Sequence, residues 1–394
     1  MEMNNNHIIE QDKSKIALVV VGYNRLNSIV RLLESLSRAH YETEVPLVIS
    51  IDASGCQPLY DYVKEYEWKH GEKYVLIKEK RLGLRDHILS CGDLTQYFKA
   101  VVILEDDIFV SEFFYDYVQN AVNKYGDAPR VGGISLFRPK FDRNYPIEYE
   151  QDGNDVFAYQ TVESWGECWT ESMWKGFREW YNDTPDHDFS TVDMPEFMKN
   201  WKKAWSKFYM AYQIENNKYF IYPSVSYTTC FADAGVHGGE SSVGQVLLST
   251  GKRNYTMPEF EKLTKYDIYG TNDKVYKWIS IERKDLCVDF YGLHDSYKDY
   301  KYLLTPYKYT SFKLCKAFAL SLHPIELNVK FGIEGMGLYL YDLTAGTETT
   351  YKKKVTPLLA NYMVGGFNIY VLIKYVIIFI NGNWQRKLKS IFNH

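Results

Sequence analysis

Residues 99–110 read KAVVILEDDIFV, an apolar run that ends in three consecutive carboxylates. Val101–Leu104 contains three β-branched residues and is typical of a strand buried on both faces of a parallel sheet. The carboxylates of Glu105, Asp106 and Asp107 then stand at the carboxyl end of a central strand, the edge where open α/β sheets bind ligands. Carboxylates this close raise one another's pKa unless a cation is present, and Mg²⁺ or Mn²⁺ is suited to oxygen ligands. The alternative is a strand that ends in a solvated acidic turn.

Strand and helix patterns alternate on both sides of this run. The strands predicted from residues 16 to 110 are Ile16–Gly22, Val45–Ile51, Tyr74–Lys78 and Val101–Leu104, and the helices are 26–40, 61–70 and part of 83–98. This alternation predicts right-handed crossovers and a doubly wound, mostly parallel sheet flanked by helices, an α/β fold.

Polar residues follow three of these strands. Asn24 and Arg25 follow the first, Asp52 the second, and the Glu105–Asp107 triplet the fourth. Because the carboxyl ends of parallel strands share one edge, we expect these residues to form a nucleotide cleft. Neither a Gly-x-Gly-x-x-Gly nor a Gly-x4-Gly-Lys-Ser/Thr motif is present, so phosphate binding is expected to fall to the metal.

Composition restricts the class of protein. The 394 residues carry a net charge of −4, which argues against a nucleic-acid partner. The 35 Tyr, 21 Phe and 9 Trp residues offer faces that suit stacking on sugars. Six widely spaced cysteines and a polar N-terminus predict free thiols in a reducing compartment, so we expect a cytoplasmic location.

Residues 157–180 hold the densest aromatic cluster. Glu163 and Glu167 flank a Ser-Trp-Gly stretch there, an arrangement that suits an acceptor-sugar site with a base beside stacking faces. Each Trp could equally be a core residue.

A helix is predicted over 194–215 and a strand over 219–223. Residues 228–239 are rich in glycine and include His237, which suits a flap over a diphosphate or a loop without function.

The remainder of the chain predicts less. Residues 278–283 and 286–291 resemble a strand pair, and 314–322 a short apolar helix. Residues 369–380 read IYVLIKYVIIFI and precede Arg386, Lys387 and Lys389. This run is shorter than the roughly 20 residues that span a bilayer, so we expect it to contact the membrane surface over residues 369–390. A C-terminal core element is the alternative.

Taken together, these motifs resemble nucleotide-sugar glycosyltransferases of the GT-A fold. The order of Gly22–Arg25, Asp52, the Gly83-Leu84-Arg85 segment and the Leu-Glu-Asp-Asp motif is similar to that of family 2-like enzymes and the N-acetylglucosaminyltransferase I group. Phe113-Phe114 and the residues around 221–238 extend the resemblance, which covers about residues 15–245.

The resemblance implies roles for individual residues. Asp107 would ligate Mn²⁺ or Mg²⁺, and Glu105 and Asp106 would face the sugar and ribose of the donor. The other donor-side positions are Asn24, Arg25, Asp52, Arg85, His87 and His237.

One position departs from the pattern. Ser206 follows Trp205 where the related group has a catalytic Asp. The base must then come from Glu163, Glu167 or Asp193, and Glu163 is preferred.

The sequence therefore predicts a metal-dependent transferase that moves a sugar from a nucleotide-diphosphate donor, a UDP-sugar, to a hydroxyl of a carbohydrate or lipid-linked acceptor with inversion. We expect it to act in bacterial surface polysaccharide synthesis, at the inner face of the cell membrane. The alternatives are a retaining transferase, a nucleotidyltransferase and a non-catalytic carbohydrate-binding or assembly subunit.

The expected organisation has three parts. A flexible N-terminus covers 1–14, and a GT-A domain covers 15–254. Within that domain, 15–130 form the nucleotide-binding half and 131–254 the acceptor half. An α+β extension covers 255–394.

Overall fold

The structure is a computed structural model that describes residues 9–142, 145–202, 204–231, 233, 244–345, 354–364, 370 and 373–381. The strands are β1 (Asp12–Gly22), β2 (Leu47–Ile51), β3 (Lys73–Ile77), β4 (Phe98–Glu105), β5 (Ile108–Val110), β6 (Val131–Ser135), β7 (Phe141–Asp142), β8 (Tyr145–Pro146), β9 (Val156–Tyr159), β10 (Glu167–Thr170), β11 (Tyr219–Pro223), β12 (Thr228–Cys230), β13 (Lys265–Tyr266), β14 (Leu286–Val288), β15 (Tyr302–Thr305), β16 (Lys313–Ala319) and β17 (Gly337–Asp342). The helices are α1 (Leu26–Arg38), α2 (Gln57–Glu65), α3 (Leu84–Gly92), α4 (Phe114–Tyr125), α5 (Glu171–Asp183), α6 (Glu196–Lys199), α7 (Trp205–Glu215), α8 (Lys274–Ile279), α9 (Leu327–Lys330) and α10 (Pro357–Val364), and residues 373–381 are also helical.

The chain divides into two compact units, residues 1–280 with 293–296, and residues 281–292 with 297–394. Within the described part of the first unit, nine strands form one sheet in the order β13-β9-β11-β6-β10-β4-β1-β2-β3. Five of its eight neighbouring pairs are parallel and three are antiparallel. The predicted α/β class with a mostly parallel sheet is confirmed.

The parallel half of this sheet follows the predicted alternation closely. In β1, residues Ile16–Val21 are at most 5% exposed, and all five residues of β2 are buried. Helix α1 begins at Leu26 as predicted and buries Ile29, Leu32 and Leu36 on one face. Helix α2 begins at Gln57, earlier than the predicted residue 61, because Pro58 fits the first turn of a helix.

The other half of the sheet includes a close approach of two strands, β6 and β11, which pair in parallel. At Gly133 in β6, a Cβ atom would lie 2.3 Å from the ring of Phe220 in β11. Glycine is therefore needed at this position to leave room for the Phe220 ring.

The helix predicted over 194–215 is interrupted, because α6 stops at Asn200. The side-chain amide of Asn200 donates back to the Glu196 carbonyl at 3.0 Å.

The second unit is built on a four-stranded sheet in the order β14-β15-β17-β16. The helix predicted over 314–322 is wrong, because residues 313–319 pair with β17 as an antiparallel strand. Of the strand pair predicted over 278–283 and 286–291, the first strand is wrong and the second is confirmed in part, as β14. Trp278 lies in α8, which ends at Ser280 with a φ of 59°, and β14 pairs in parallel with β15 instead. Throughout the described ranges, each helix is too short or too polar to cross a lipid bilayer.

Candidate functional site

Three strand ends meet at one edge of the large sheet. Val21 of β1 lies beside Glu105 of β4, and Gly22 lies beside Ile51 of β2. The residues that follow these ends, Arg25, Asp52 and the acidic triplet, therefore stand at neighbouring positions along that edge. This is the placement that the sequence pattern predicted.

Arg25 forms an ion pair with two carboxylates of the triplet. Its Nε donates to Asp106 Oδ2 at 3.1 Å, a second nitrogen donates to Asp106 Oδ1, and its Nη1 donates to Asp107 Oδ2 at 3.2 Å. Asp106 is 4% exposed. Burial raises its pKa to about 6, although the guanidinium opposes that rise. A protein cation thus compensates much of the acidic charge at this edge.

Asp107 is the more accessible member of this pair. Its side chain is 15% exposed, against 6% for the Asp106 side chain. Its backbone carbonyl accepts a hydrogen bond from the Phe231 amide at 2.9 Å, which continues the antiparallel ladder between β5 and β12. The Asp107 backbone is therefore fixed by the sheet, while its carboxylate is held by Arg25 alone among the hydrogen bonds of the described residues.

Glu105 and Glu167 form a carboxyl pair in which Glu105 is half-buried and Glu167 is fully buried. Glu167 pairs with Ile103 across the β4–β10 ladder, so Glu105, two residues further on, points to the same face of the sheet. Among the described residues, Oε1 of each side chain is buried without a hydrogen-bond partner. Burial raises the pKa of Glu105 to about 8, and the nearby Asp107 and Asp106 charges add to the rise.

Burial raises the pKa of Glu167 well above its usual value, and the charge of Glu105 adds to this rise. Its Oε2 accepts the Gly166 amide at 3.2 Å. Burial of Glu167 beside the Glu105 carboxyl group therefore favours the neutral form of its side chain. Glu163 is half-buried in the loop before β10, and its charge also raises the pKa of Glu167. The structure thus brings Glu163, Glu167 and Glu105 together.

Asp193, the third candidate base, is exposed and lies elsewhere. Its carboxylate accepts the Tyr269 hydroxyl at 2.8 Å, in the segment that follows β13. Strand β13 is the edge strand on the far side of the sheet, five positions from β4. We find no described contact that connects Asp193 with the acidic triplet.

Asp52 and His87 are held by the protein's own polar groups. The Asp52 carboxylate accepts the Leu82 and Gly83 amides at 2.8 and 2.9 Å, and its pKa is lowered because these bonds outweigh burial. His87 is 2% exposed and its Nε2 lies 2.7 Å from the Ser50 hydroxyl. Burial, assisted by the Lys78 charge, lowers its pKa to about 4. These contacts fix the loop that leads into α3.

Two further predicted positions lie nearer the surface. Arg85 donates to the Lys202 carbonyl at 3.2 Å and stacks over Phe208 at 4.9 Å. Asn24 is exposed and lines a cleft of about 540 Å³ at the start of α1. His237 lies outside the described residues.

The same cleft contains residues that the sequence patterns did not single out. Ser28 and Arg31 of α1 and Asp233 line it together with Arg25. Asp233 is more than 200 positions from Ser28 and Arg31 in the chain, so no local motif connects them. The recurrence of Arg25, Ser28 and Arg31 at helical spacing was the available signal.

The residues present would fit a divalent cation only if most of its ligands came from outside the described residues. Across the described ranges, no group of three or more His, Cys, Asp or Glu side chains has the arrangement of a metal site. Mg²⁺ commonly takes one or two carboxylates and completes its shell with waters and phosphate oxygens. Asp107, with its partly exposed carboxylate, can supply one such ligand.

Comparisons with known proteins give structural neighbours only. No protein-family model and no curated protein matches the chain. A crystal structure of S. aureus TarS 1–349 with UDP-GlcNAc is 15% identical over 57% of this chain and 60% of that chain, with a TM-score of 0.39. TarS 1–349 in a second structure is 14% identical over 54% and 59%, with a TM-score of 0.35.

The mannosyltransferase PcManGT from Pyrobaculum calidifontis, in complex with GDP-Man and Mn²⁺, is 16% identical over 54% of this chain and 57% of that chain, with a TM-score of 0.33. This chain therefore spans about six tenths of the length of these neighbours. A likeness at this level carries no argument about activity, so the proposed activity is based on the residues of the site.

Proposed function

We propose that the protein is a GT-A-type glycosyltransferase that moves a sugar from a nucleotide-diphosphate donor, a UDP-sugar, to a hydroxyl of a carbohydrate or lipid-linked acceptor. The observation that supports it most is the acidic triplet at the end of β4, which lies beside the ends of β1 and β2 and next to an open cleft. A polar cleft at this edge suits a nucleotide, and its carboxylates suit a metal-bound diphosphate. Surface polysaccharide synthesis is the proposed setting.

In this proposal, Asp107 holds Mn²⁺ or Mg²⁺. The cation would neutralise the diphosphate as the glycosidic bond breaks. Asp106 is buried and bound twice by Arg25, so it orients Arg25 rather than reaching the ion. Arg25 then keeps a positive charge at the edge where the diphosphate collects negative charge.

Glu163 is the proposed base for the acceptor hydroxyl. It is half-buried, whereas Glu167 is fully buried with a raised pKa, and Asp193 lies against Tyr269. A fully buried carboxyl group cannot reach the hydroxyl of an acceptor that binds from solvent. Glu163→Gln should therefore lower the transfer rate by about a hundredfold or more, and Glu167→Gln, its matched control, by less than about threefold. If Glu167→Gln lowered the transfer rate more than Glu163→Gln, Glu167 would be the base instead.

A single displacement with this base inverts the anomeric carbon. NMR of the new linkage distinguishes inversion from the retaining alternative. A product with the anomeric configuration of the donor would contradict the proposed base, because a single in-line displacement cannot retain it.

Nucleotide-sugar hydrolysis with and without Mn²⁺ tests the proposed activity. The full chain should hydrolyse a UDP-sugar only when the metal is present. Asp107→Asn should reduce this rate by at least about a hundredfold, because the isosteric amide removes the charge that holds the ion.

Asp61→Asn serves as the matched control for that measurement. Asp61 lies exposed on α2, where it accepts the Gln57 side chain, so its loss should leave the rate unchanged. A chain that binds nucleotide sugars without turnover, with or without Mn²⁺, would instead be a carbohydrate-binding or assembly subunit.

We also propose that the C-terminal helix contacts an anionic membrane surface. The apolar side chains at 373 and 375–380 are each between 49% and 70% exposed, so this helix packs little against the described residues. Residues 369–380 would be about 18 Å long as a helix, short of the roughly 30 Å hydrocarbon core. Lys374 within the run and Arg386, Lys387 and Lys389 after it favour anionic headgroups.

Vesicle flotation tests this contact. The full chain should float with phosphatidylglycerol vesicles and remain behind with phosphatidylcholine vesicles. Phe379→Glu should abolish flotation, because a charge in the buried face opposes insertion. Leu314→Glu, at an exposed apolar position of β16, is the control and should float normally. Equal recovery with both lipids, or none with either, contradicts the proposal.

A further inference from the structure

Phe231, which directly follows β12, packs against Arg31 of α1. Thr228, Thr229 and Cys230 pair with β5, and the Phe231 amide continues the ladder to the Asp107 carbonyl. The Phe231 ring then lies under the Arg31 guanidinium, 3.8 Å from its centroid. These contacts fix the course of the chain up to the cleft beside the acidic triplet.

Asp233 enters this cleft and binds its basic residues. The Asp233 carboxylate accepts the Ser28 hydroxyl at 2.7 Å and a nitrogen of Arg31. Its backbone carbonyl accepts Nη1 of Arg25 at 2.8 Å. A guanidinium and a hydroxyl on the first turns of a helix are the donors that proteins use for phosphate oxygens. Asp233 thus supplies an internal anion at a set of phosphate-type donors.

Among the described residues, Asp233 is the one carboxylate that forms an ion pair with Arg31. Helix α1 has 13 residues, no side-chain cap and no acidic residue in its first turn. Within the described part of the chain, the buried Nε of Arg31 has no hydrogen-bond partner. Asp106 and Asp107 are bound to Arg25, and among the described residues Asp233 is the anion that pairs with Arg31. A ligand that replaced Asp233 would meet an unpaired guanidinium.

The cleft has room for such a ligand. Its volume of about 540 Å³ lies within the range of small-molecule sites, and Ser28, Arg31 and Asp233 all line it. Asp233 is itself partly exposed, with 31% of its side chain accessible, so a ligand can approach it from solvent.

We propose that Ser28 and Arg31 form a phosphate-binding subsite of the cleft, and that Asp233 occupies this subsite until a phosphate group of the ligand displaces it. The assignment of that phosphate to a nucleoside diphosphate rests on the proposed function. The subsite itself rests on the contacts of Asp233. The hydrogen bonds from Arg31 and Ser28 outweigh burial and lower the pKa of Asp233, so the competing carboxylate is charged at neutral pH.

Displacement of an internal competitor has a measurable consequence. If only the fraction of molecules with Asp233 released can bind, the apparent Kd equals the intrinsic Kd divided by that fraction. Asp233→Asn keeps the shape of the side chain and removes its charge, so the released fraction should increase. The variant should therefore bind phosphate groups more tightly than the natural chain does.

Isothermal titration of the full chain with inorganic pyrophosphate, in buffer without divalent metal, tests this expectation. Asp233→Asn should lower the Kd at least threefold. Arg31→Gln should raise it at least tenfold, and Ser28→Ala should raise it by a smaller factor. Asp61→Asn, which removes one carboxylate from the exposed face of α2, should leave it unchanged.

An unchanged or higher Kd in Asp233→Asn would overturn the proposal, as would an Arg31→Gln variant that binds pyrophosphate like the natural chain. Circular dichroism spectra that match the natural chain confirm that each variant is folded. Should Arg31→Gln fail to fold, Ser28→Ala provides the same comparison.

The same samples separate this inference from the proposed function. If the natural chain hydrolyses a UDP-sugar while the three cleft variants share its Kd for pyrophosphate, the subsite is wrong and the transferase proposal remains. If pyrophosphate binding follows the expected order but no nucleotide sugar binds, the subsite is correct and the transferase proposal is wrong.

Discussion

Replacing Arg25 by glutamine tests whether this cation holds the acidic edge of the sheet together. Asp106 is buried, and its pKa is raised from 3.8 to about 6 even with Arg25 beside it. Such a rise corresponds to about 3 kcal/mol of unfavourable free energy for the ionised carboxylate above pH 6. Without Arg25, the Asp106 carboxylate loses two hydrogen bonds and the Asp107 carboxylate loses one.

Removing one partner of a buried ion pair costs about 3–5 kcal/mol. We expect Arg25→Gln to lower the free energy of unfolding by about that amount at pH 8. The melting temperature should fall by at least about 6 °C, at about 2 °C or more for each kcal/mol in a unit of this size.

The pH dependence has a definite sign. A carboxyl group whose pKa is higher in the folded state binds more protons when folded, so its contribution to stability is lost as pH rises through that pKa. Arg25→Gln raises the pKa of Asp106 further. The difference between variant and natural chain should therefore be large at pH 8 and should at least halve at pH 5, where Asp106 is mostly protonated in both.

Urea unfolding with a chelator present measures this difference. Arg178→Gln is the matched control, because Arg178 pairs with Asp93 at 2.9 Å near the surface, where Asp93 is 39% exposed. Its loss should cost less than about 1 kcal/mol at both pH values. Equal losses in the two variants, or a larger loss at pH 5 for Arg25→Gln, would show that Arg25 does not have this stabilising role.

Three further predictions concern the scaffold. For His87, whose pKa is lowered to about 4, the unfolded chain binds more protons between pH 6.5 and 4. The free energy of unfolding of the natural chain should therefore fall by about 2 kcal/mol more between pH 7.5 and pH 5 than that of His87→Asn. Urea unfolding at the two pH values measures this difference. Gly133→Ala should lower stability by about 1–3 kcal/mol because its Cβ would meet the Phe220 ring at 2.3 Å, while Gly132→Ala, with its nearest atom at 3.6 Å, should be nearly neutral in the same thermal melts. Asp52→Asn should cost about 1–3 kcal/mol by weakening the acceptor of the Leu82 and Gly83 amides, and a stability equal to that of the natural chain would contradict this role.

The parallel half of the sheet was predictable because its strands are continuous apolar runs, a local sequence pattern that is typical of strands buried on both faces. Ile16–Gly22 and Val101–Leu104 are apolar on both faces, and both became strands that are buried on both faces. Parallel strands then place their carboxyl ends together, so Arg25 and the acidic triplet could be assigned to one edge.

The partners of these residues were not predictable, because they depend on contacts between distant parts of the chain. The spacing of Arg25 and Asp106 in sequence gives no sign of their ion pair, and Asp233 meets Arg31 across more than 200 positions. The burial of Glu167 likewise follows from its position between β4 and β6, which sequence periodicity does not reveal.

The second unit shows the limit of pattern reasoning most clearly. Residues 313–319 carry apolar side chains at spacings that suit a helix, yet they form a strand because β17 offers a ladder of backbone hydrogen bonds. Backbone pairing with β17, which is distant in sequence, therefore outweighed the local preference of these residues for a helix.

The proposed transfer depends on metal binding by Asp107. A crystal structure of the chain with UDP and Mn²⁺ would test this binding directly. We predict an anomalous manganese peak within about 2.3 Å of an Asp107 carboxylate oxygen, with the diphosphate completing the shell of the ion. A structure with UDP bound away from this edge, and with Asp107 still paired to Arg25, would contradict the proposed role of Asp107.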